Sequence, residues 1–407
     1  MNEQDNYELV LDSHGLAEQK NAILPNRMLS LQKQMLDSSR YTQLMDQTEY
    51  DPDFDYSAVF NDLEMIYLFV HHERDLDKQK NRTKKTKKEY LRELLFFYNQ
   101  ISAVGDLYNF DSTKADLFTL LKQLKPKHIR KYQAWLKEVK LGRVKKRDND
   151  KLVENKENED KKGTYSVATL SRKTVILKAF FEFLYKRKYI SRRLHEALQT
   201  SNVHEKDRPN RDLYEAEVLQ LLKYFKNNIV EHTIISVLAS TGLRVKELCQ
   251  ARICDLSYYE GKLFLEVIGK GNEKREVLIH PKIWERIVTY RSRRRYPSEL
   301  DGSDKTPLLP DAKGKAYNEK YLSSYISKVI NRAPLPFLKA RSDRISAHHF
   351  RHFFSIYSSQ QGASIESISK TLGHKSLATT QIYLQKRLSR MDNAAHTWID
   401  SSFIDDM

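Results

Sequence analysis

The stretch "HHFRHFFS", residues 348–355, puts three histidines and an arginine within five positions. On a helix His348 and His352 stand at i and i+4, a spacing at which two imidazoles can share a metal. The zinc-hydrolase pattern needs a glutamate directly after its first histidine, and His349 stands there instead, so the metal reading is weak. The competing reading is an anion site on a packed helix. Phe350, Phe353, Phe354 and Tyr357 supply a broad apolar face, while His348, Arg351 and Ser355 share another at i, i+3 and i+7. Arginine offers a planar fork of donors and histidine a titratable one, so phosphate is the natural ligand.

Two other stretches could join it. In "ASTGLRVKELCQARICDL" an apolar helix ends at Thr241 and Gly242 and another starts at once, which places Arg244 in a first turn where unbonded N–H groups and the dipole favour an anion. For that motif alone, an ordinary surface arginine is an equal reading. "GKGN" between two β-rich runs reads as a hairpin tip with Lys270 between Gly269 and Gly271, and a solvated turn lysine is its commoner meaning. The chain holds 23 tyrosines, so any one of them is usually structural, and Tyr357 reads as core. The only cysteines, Cys249 and Cys254, allow neither a disulfide framework nor a four-thiolate zinc site, and read as small hydrophobes in a reducing compartment.

The elements that must carry these residues are mostly helical. A chain of 407 residues with 40% apolar and 11% aromatic residues suggests two or three domains with real cores. A formal net charge of +16 points to a polyanionic partner, for which nucleic acid is the usual one. No run approaches the roughly 18 apolar residues that span a bilayer, and the first residues lack the order of a signal peptide, so the expected location is cytoplasmic, with no membrane partner. Residues 1–55 are acidic and have no assigned role. Residues 56–200 show helical periodicity with basic opposite sides, interrupted by a densely charged loop at about 141–163. Lys84, Lys85, Lys87 and Lys88 open one helix, and Arg172, Lys173 and Lys178 belong to another, which makes these seven the candidate DNA contacts. A polar linker is expected at 201–213, a mixed α and β domain at 214–390, and a tail at 391–407 with Trp398, Ile399 and Phe403 on an amphipathic piece.

Taken in order, "TGLR" ending at Arg244, "GKGN" with Lys270, "HHFR" with His348 and Arg351, "LGHKS" with His374 and "TTQIYLQ" with Tyr383 resemble the tyrosine recombinase (phage integrase) family. Six matched positions across about 140 residues make a specific signal. The likeness covers the second domain, and the helical domain before it is similar in texture to the family's core-binding domain. Phe350 stands where the family often has leucine, and the acidic start and the charged loop are not standard features.

The resemblance implies a mainly α fold with a small antiparallel β-sheet, built as a two-domain DNA clamp of a helical core-binding domain and an α+β catalytic domain. It implies site-specific cutting and rejoining of duplex DNA through a covalent 3′-phosphotyrosyl link formed by Tyr383. Arg244 and Arg351 would clamp the non-bridging oxygens, helped by His374 or His348, Lys270 would protonate the leaving 5′ oxygen, and His348 would assist proton transfer with Tyr383. His349 and His352 read as non-catalytic. No metal or nucleotide cofactor is implied. The implied partners are duplex DNA, further copies of the chain assembling from dimer to tetramer on it, and a directionality factor. A DNA-binding regulator with a recombinase fold that cuts nothing is the alternative, and a type IB topoisomerase is the other enzyme reading.

Overall fold

In the computed structural model the described residues are 25–407 except 74, 78–79, 109, 112–118, 139–163, 201–202, 204–210, 270–272, 298, 342, 375, 379, 382–383, 385–393 and 395–407. The charged loop at 141–163, most of the linker and tail, Lys270 and Tyr383 therefore lie outside the described residues. The chain divides into two compact units, Met1–Arg208 and Pro209–Met407, and each has its own core.

The first unit is helical: α1 (Pro25–Gln34), α2 (Ser39–Asp46), α3 (Asp62–His71), α4 (Lys84–Val104), α5 (Pro126–Glu138) and α6 (Val167–Lys186). Caps set several starts. Asn61 and Glu64 form a reciprocal capping box on α3, and the Thr83 and Ser166 hydroxyls accept from the N–H groups of Thr86 and Thr169. Apolar residues at three- and four-residue spacing then meet in an aromatic core, where Phe97 packs edge-on against Tyr132 and Phe181. Met35, Leu44 and Met45 join this core, so the later part of the acidic first 55 residues packs into the first unit. Asp62 is fully buried and accepts from the Tyr189 hydroxyl at 2.6 Å and the Leu121 N–H at 3.0 Å, and burial pushes its carboxyl up to about 7 against the pull of those donors.

The second unit combines α7 (Glu215–Tyr224), α8 (Ile229–Thr241), α9 (Val245–Gln250), α10 (Pro281–Arg293), α11 (Glu319–Ile330), α12 (Ala347–Gln360) and α13 (Ile365–Leu372) with a three-stranded antiparallel sheet. Its strands are β1 (Leu256–Tyr259), β2 (Lys262–Ile268) and β3 (Lys274–Ile279), in that spatial order. The β2–β3 hairpin follows the alternation in the sequence, with Val267 opposite Arg275 and Leu265 opposite Val277. β1 is an addition to the sequence reading. It pairs with β2 across the two-residue turn Glu260–Gly261, both with positive φ, and its short run "LSYY" buries only Leu256. The centre of the core is α8, buried on nearly all sides, against which α12 packs with Phe350 and Phe353.

Candidate active site

The site is assembled where α8, α9, α12, α13 and β3 end or begin. α8 stops at Gly242, whose φ of +62° belongs to the left-handed region, and α13 stops the same way at Gly373 with φ +63°. Both stops leave helix-terminal carbonyls pointing at one spot, and a cation suits that spot because the helix dipoles end there negative. Arg351, reaching up from α12, occupies it. Its guanidinium donates to the Gly242 carbonyl at 2.8 Å and the Leu372 carbonyl at 2.5 Å, and the residue is only 3% exposed. Arg351 thus does not lie on an open polar face with His348, as the helical spacing alone suggested. Burial between two helix ends holds its fork in one orientation.

Arg244 immediately precedes α9 and also donates to the Leu372 carbonyl, at 3.5 Å. The expected open anion site at this helix start is corrected by the structure, because the chain supplies its own anion there. Glu247 accepts the Arg244 backbone N–H at 2.8 Å and its guanidinium at 2.7 Å. The same carboxylate takes two bonds from Arg275 on β3, at 3.0 and 2.9 Å, and Arg275 also donates to the Thr371 carbonyl at 2.8 Å. Burial raises the Glu247 carboxyl, but the Arg275 and Arg244 donors outweigh it and hold it below the usual carboxylate range. Arg275 lies against both glycines that precede candidate residues: a Cβ on Gly269 would meet its guanidinium at 3.4 Å, and one on Gly373 would meet its side chain at 3.0 Å.

His374 follows Gly373 and bonds through Nδ1 to the Thr380 hydroxyl at 2.8 Å. Loss of solvent, then the charges of Arg351, Arg244 and Arg275, push its imidazole down to about 4. His348, in the first turn of α12, keeps an exposed surface, yet partial enclosure and then Arg211, Arg351 and Arg244 lower its pKa too. Both rings are therefore held toward the neutral form. His349 accepts the Ser346 N–H through Nδ1 at 3.1 Å and closes the start of α12, and His352 meets Asp212 at 3.1 Å. Tyr357 stacks on Phe353 beside the core. Cys249 is buried and its thiol is pushed up to about 12 by burial.

Four of the six expected catalytic positions, Arg244, His348, Arg351 and His374, are thus brought together, while Lys270 and Tyr383 lie outside the described residues. Sequence reasoning missed Glu247, Arg275 and Thr380. Arg275 did carry a signal, since it shares an inward strand face with Val277 and Ile279, and a charge at such a position needs a buried partner.

In the first unit Lys84, Lys85 and Lys88 are exposed at the start of α4, where no acidic residue balances the dipole. Lys84 and Lys85, in the first turn, are unfavourable to the helix by about 0.3–1 kcal/mol each, so an outside anion would relieve them. Lys87 turns its ammonium to His71 Nδ1 at 3.1 Å, Arg172 is paired with Glu89, and Lys178 is half-buried. Lys173 is corrected. Its ammonium is buried on Glu93 and lies 4.7 and 4.9 Å from the ring centres of Phe96 and Tyr165, so it serves the core, because a basic residue on the packed side of a helix must find its anion inside. Among the described residues there is no cluster of three or more potential metal ligands, and no helix is long and apolar enough to cross a membrane.

Residues 211–390 match the model of the phage integrase family. The chain is 27% identical over 276 residues to the tyrosine recombinase XerD of Staphylococcus haemolyticus, covering 66% of this chain and 89% of that protein. It is 29% identical over 232 residues to the tyrosine recombinase XerA of Pyrococcus furiosus, covering 56% and 74%. Among solved structures it shares its fold with the XerH site-specific recombinase bound to a palindromic difH substrate (TM-score 0.51, 19% identity, 82% of this chain and 93% of that one). It shares it also with a lambda integrase dimer bound to a COC′ core site (TM-score 0.53, 13% identity, 80% and 78%). Residues 211–390 thus carry a phage integrase family domain, and the named relatives and the mainly helical fold with its three-stranded sheet agree with the tyrosine recombinase family.

Proposed function

We propose that the protein is a site-specific DNA recombinase that breaks and rejoins duplex DNA through a 3′-phosphotyrosyl link to Tyr383. The observation that carries this reading is the convergence of Arg244, Arg351 and His374 on the Leu372 carbonyl and the turn after it, with His348 nearby. Two guanidiniums fixed by protein bonds are pre-oriented donors for a phosphoryl group whose non-bridging oxygens gain charge in the transition state, and losing one such donor costs about 10²–10³-fold. In the proposed step the Tyr383 hydroxyl attacks phosphorus and loses its proton to the neutral His348 imidazole. The P–O5′ bond breaks, and the departing oxygen takes a proton from Lys270. Reversal by an incoming 5′ hydroxyl rejoins the strand.

The relatives are named recombinases, and of the two solved structures cited one is described as bound to a palindromic difH substrate and the other as a dimer bound to a COC′ core site. By extension the two units of this chain grip duplex DNA as a clamp, with Lys84, Lys85 and Lys88 among the phosphate contacts, and copies associate from dimer to tetramer on it. A directionality factor is a further proposed partner.

The test is a suicide-substrate assay with nicked duplexes from the gene's own neighbourhood. A denaturant-resistant protein–DNA adduct is expected, absent in Tyr383→Phe, whose DNA affinity stays near that of the parent because one hydroxyl adds little to a phosphate interface. Specific binding without any adduct would instead support the regulator, and relaxation of supercoils without a specific site would support the topoisomerase.

A further inference from the structure

Thr380 is fully buried and helical, three residues before Tyr383. Among the described residues Thr241, Thr289 and Thr371 each donate from a helix to the carbonyl four residues earlier, of Val237, Glu285 and Ser367. The Thr380 hydroxyl is seen instead on Nδ1 of His374, at 2.8 Å. A neutral imidazole carries one proton, so the partner of one nitrogen decides what the other presents. Were Nδ1 to hold the proton, Nε2 would turn a lone pair toward any phosphate in the site and repel it. With the proton on Nε2, the ring becomes a donor.

Resting on the recombinase reading, we propose that Thr380 is a positioning residue whose hydroxyl donates to Nδ1 of His374 and so fixes the Nε2–H tautomer, the form that donates to a phosphoryl oxygen of the DNA. The hydroxyl also holds the ring plane, because an O–H donor bonds along the nitrogen lone pair. The surroundings make the choice of tautomer matter. Arg351 from α12, Arg244 beside α9 and Arg275 from β3 all disfavour the imidazolium, which would donate from both nitrogens and need no such device. The arrangement repeats, with a hydroxyl in place of a carboxylate, the way an outer partner orients a functional histidine, where loss of the partner costs about 10–100-fold.

The experiment compares the full-length protein with Thr380→Val, which keeps the side-chain shape, and Thr380→Ser, which keeps the hydroxyl. Adduct formation on the nicked duplex is followed in a single turnover at pH 8 and pH 6, with DNA affinity measured in parallel. The expected result is a slowing of roughly tenfold or more in Thr380→Val with affinity unchanged, and recovery to within about threefold in Thr380→Ser. Because the His374 imidazole is held down to about 4, it stays neutral at both pH values, and the Thr380→Val defect should be the same at pH 8 and pH 6. Histidine labelled with ¹⁵N in the uncut protein gives a reading independent of activity: His374 should show a protonated Nε2 and a hydrogen-bonded, unprotonated Nδ1. A protonated Nδ1, or equal rates for Thr380→Val and the parent, or failure of Thr380→Ser to recover, overturns the proposal. Absence of any adduct with the parent protein would defeat the recombinase reading, and with it the catalytic role given to Thr380.

Discussion

Glu247→Gln removes one charge and changes no volume, and its cost can be worked from four bonds. The carboxylate accepts the Arg244 N–H on Oε2 and the Arg244 guanidinium on Oε1, and Arg275 bonds both oxygens. An amide has only one acceptor oxygen. Whichever way it sits, its NH₂ replaces an oxygen that accepted two donors, so two of the four bonds become donor-to-donor contacts. Each bond to a charged group contributes about 1.5–3 kcal/mol, so losing two costs about 3–6 kcal/mol. That agrees with about 3–5 kcal/mol for breaking a buried ion pair, and the 30% exposure of the Arg244 side chain argues for the lower half. Urea unfolding read by hydrogen–deuterium exchange over β3 and α9 should therefore show a loss of about 3–4 kcal/mol in the second unit. Linkage adds a second reading. Glu247 has a folded pKa below its ordinary 4.5, so its stabilisation is present above that value and is lost as pH falls through the folded one. The gap between parent and variant should be full at pH 7 and narrow below about pH 4.5. A loss under about 1 kcal/mol at pH 7, or a gap that widens in acid, would refute the reasoning.

Three shorter predictions concern the corrected lysine, an exposed one and the turn before His374. Lys173→Met should cost the first unit about 2–4 kcal/mol in urea unfolding by leaving Glu93 to the exposed Arg92, yet leave the salt dependence of DNA binding unchanged. Lys88→Ala should do the reverse, lowering the slope of log affinity against log salt by about one without loss of stability. Gly373→Ala demands a left-handed backbone at a cost of about 1–2 kcal/mol and brings a Cβ to 3.0 Å from the Arg275 Cδ. Adduct formation should therefore fall further than stability does, and an alanine variant with parental rate would mean that His374 does not depend on this turn.

Much of this protein was legible before any coordinates. The 3.6-residue periodicity announced the helices of both units, alternation announced the β2–β3 hairpin, and Gly242 marked a helix stop because left-handed backbone favours glycine. The short order of "TGLR", "HHFR" and "LGHKS" named three places that the fold brings together. β1 was harder to see, since four residues with one buried side chain give too little alternation to read.

The site shows the other side of that division. Residue types and local spacing state which side chains could bind a phosphate, because periodicity and turn chemistry are properties of neighbours in the chain. They do not state which cation remains for the ligand, because a charge finds its partner through space. Arg351 settles between two helix ends 109 and 21 residues away in the chain, and Glu247 draws in Arg275 from 28 residues away. Lys173, alike in sequence to its exposed neighbours, is consumed by Glu93 at a separation of 80. Burial and long-range pairing decide such matters, and only the tertiary fold sets them.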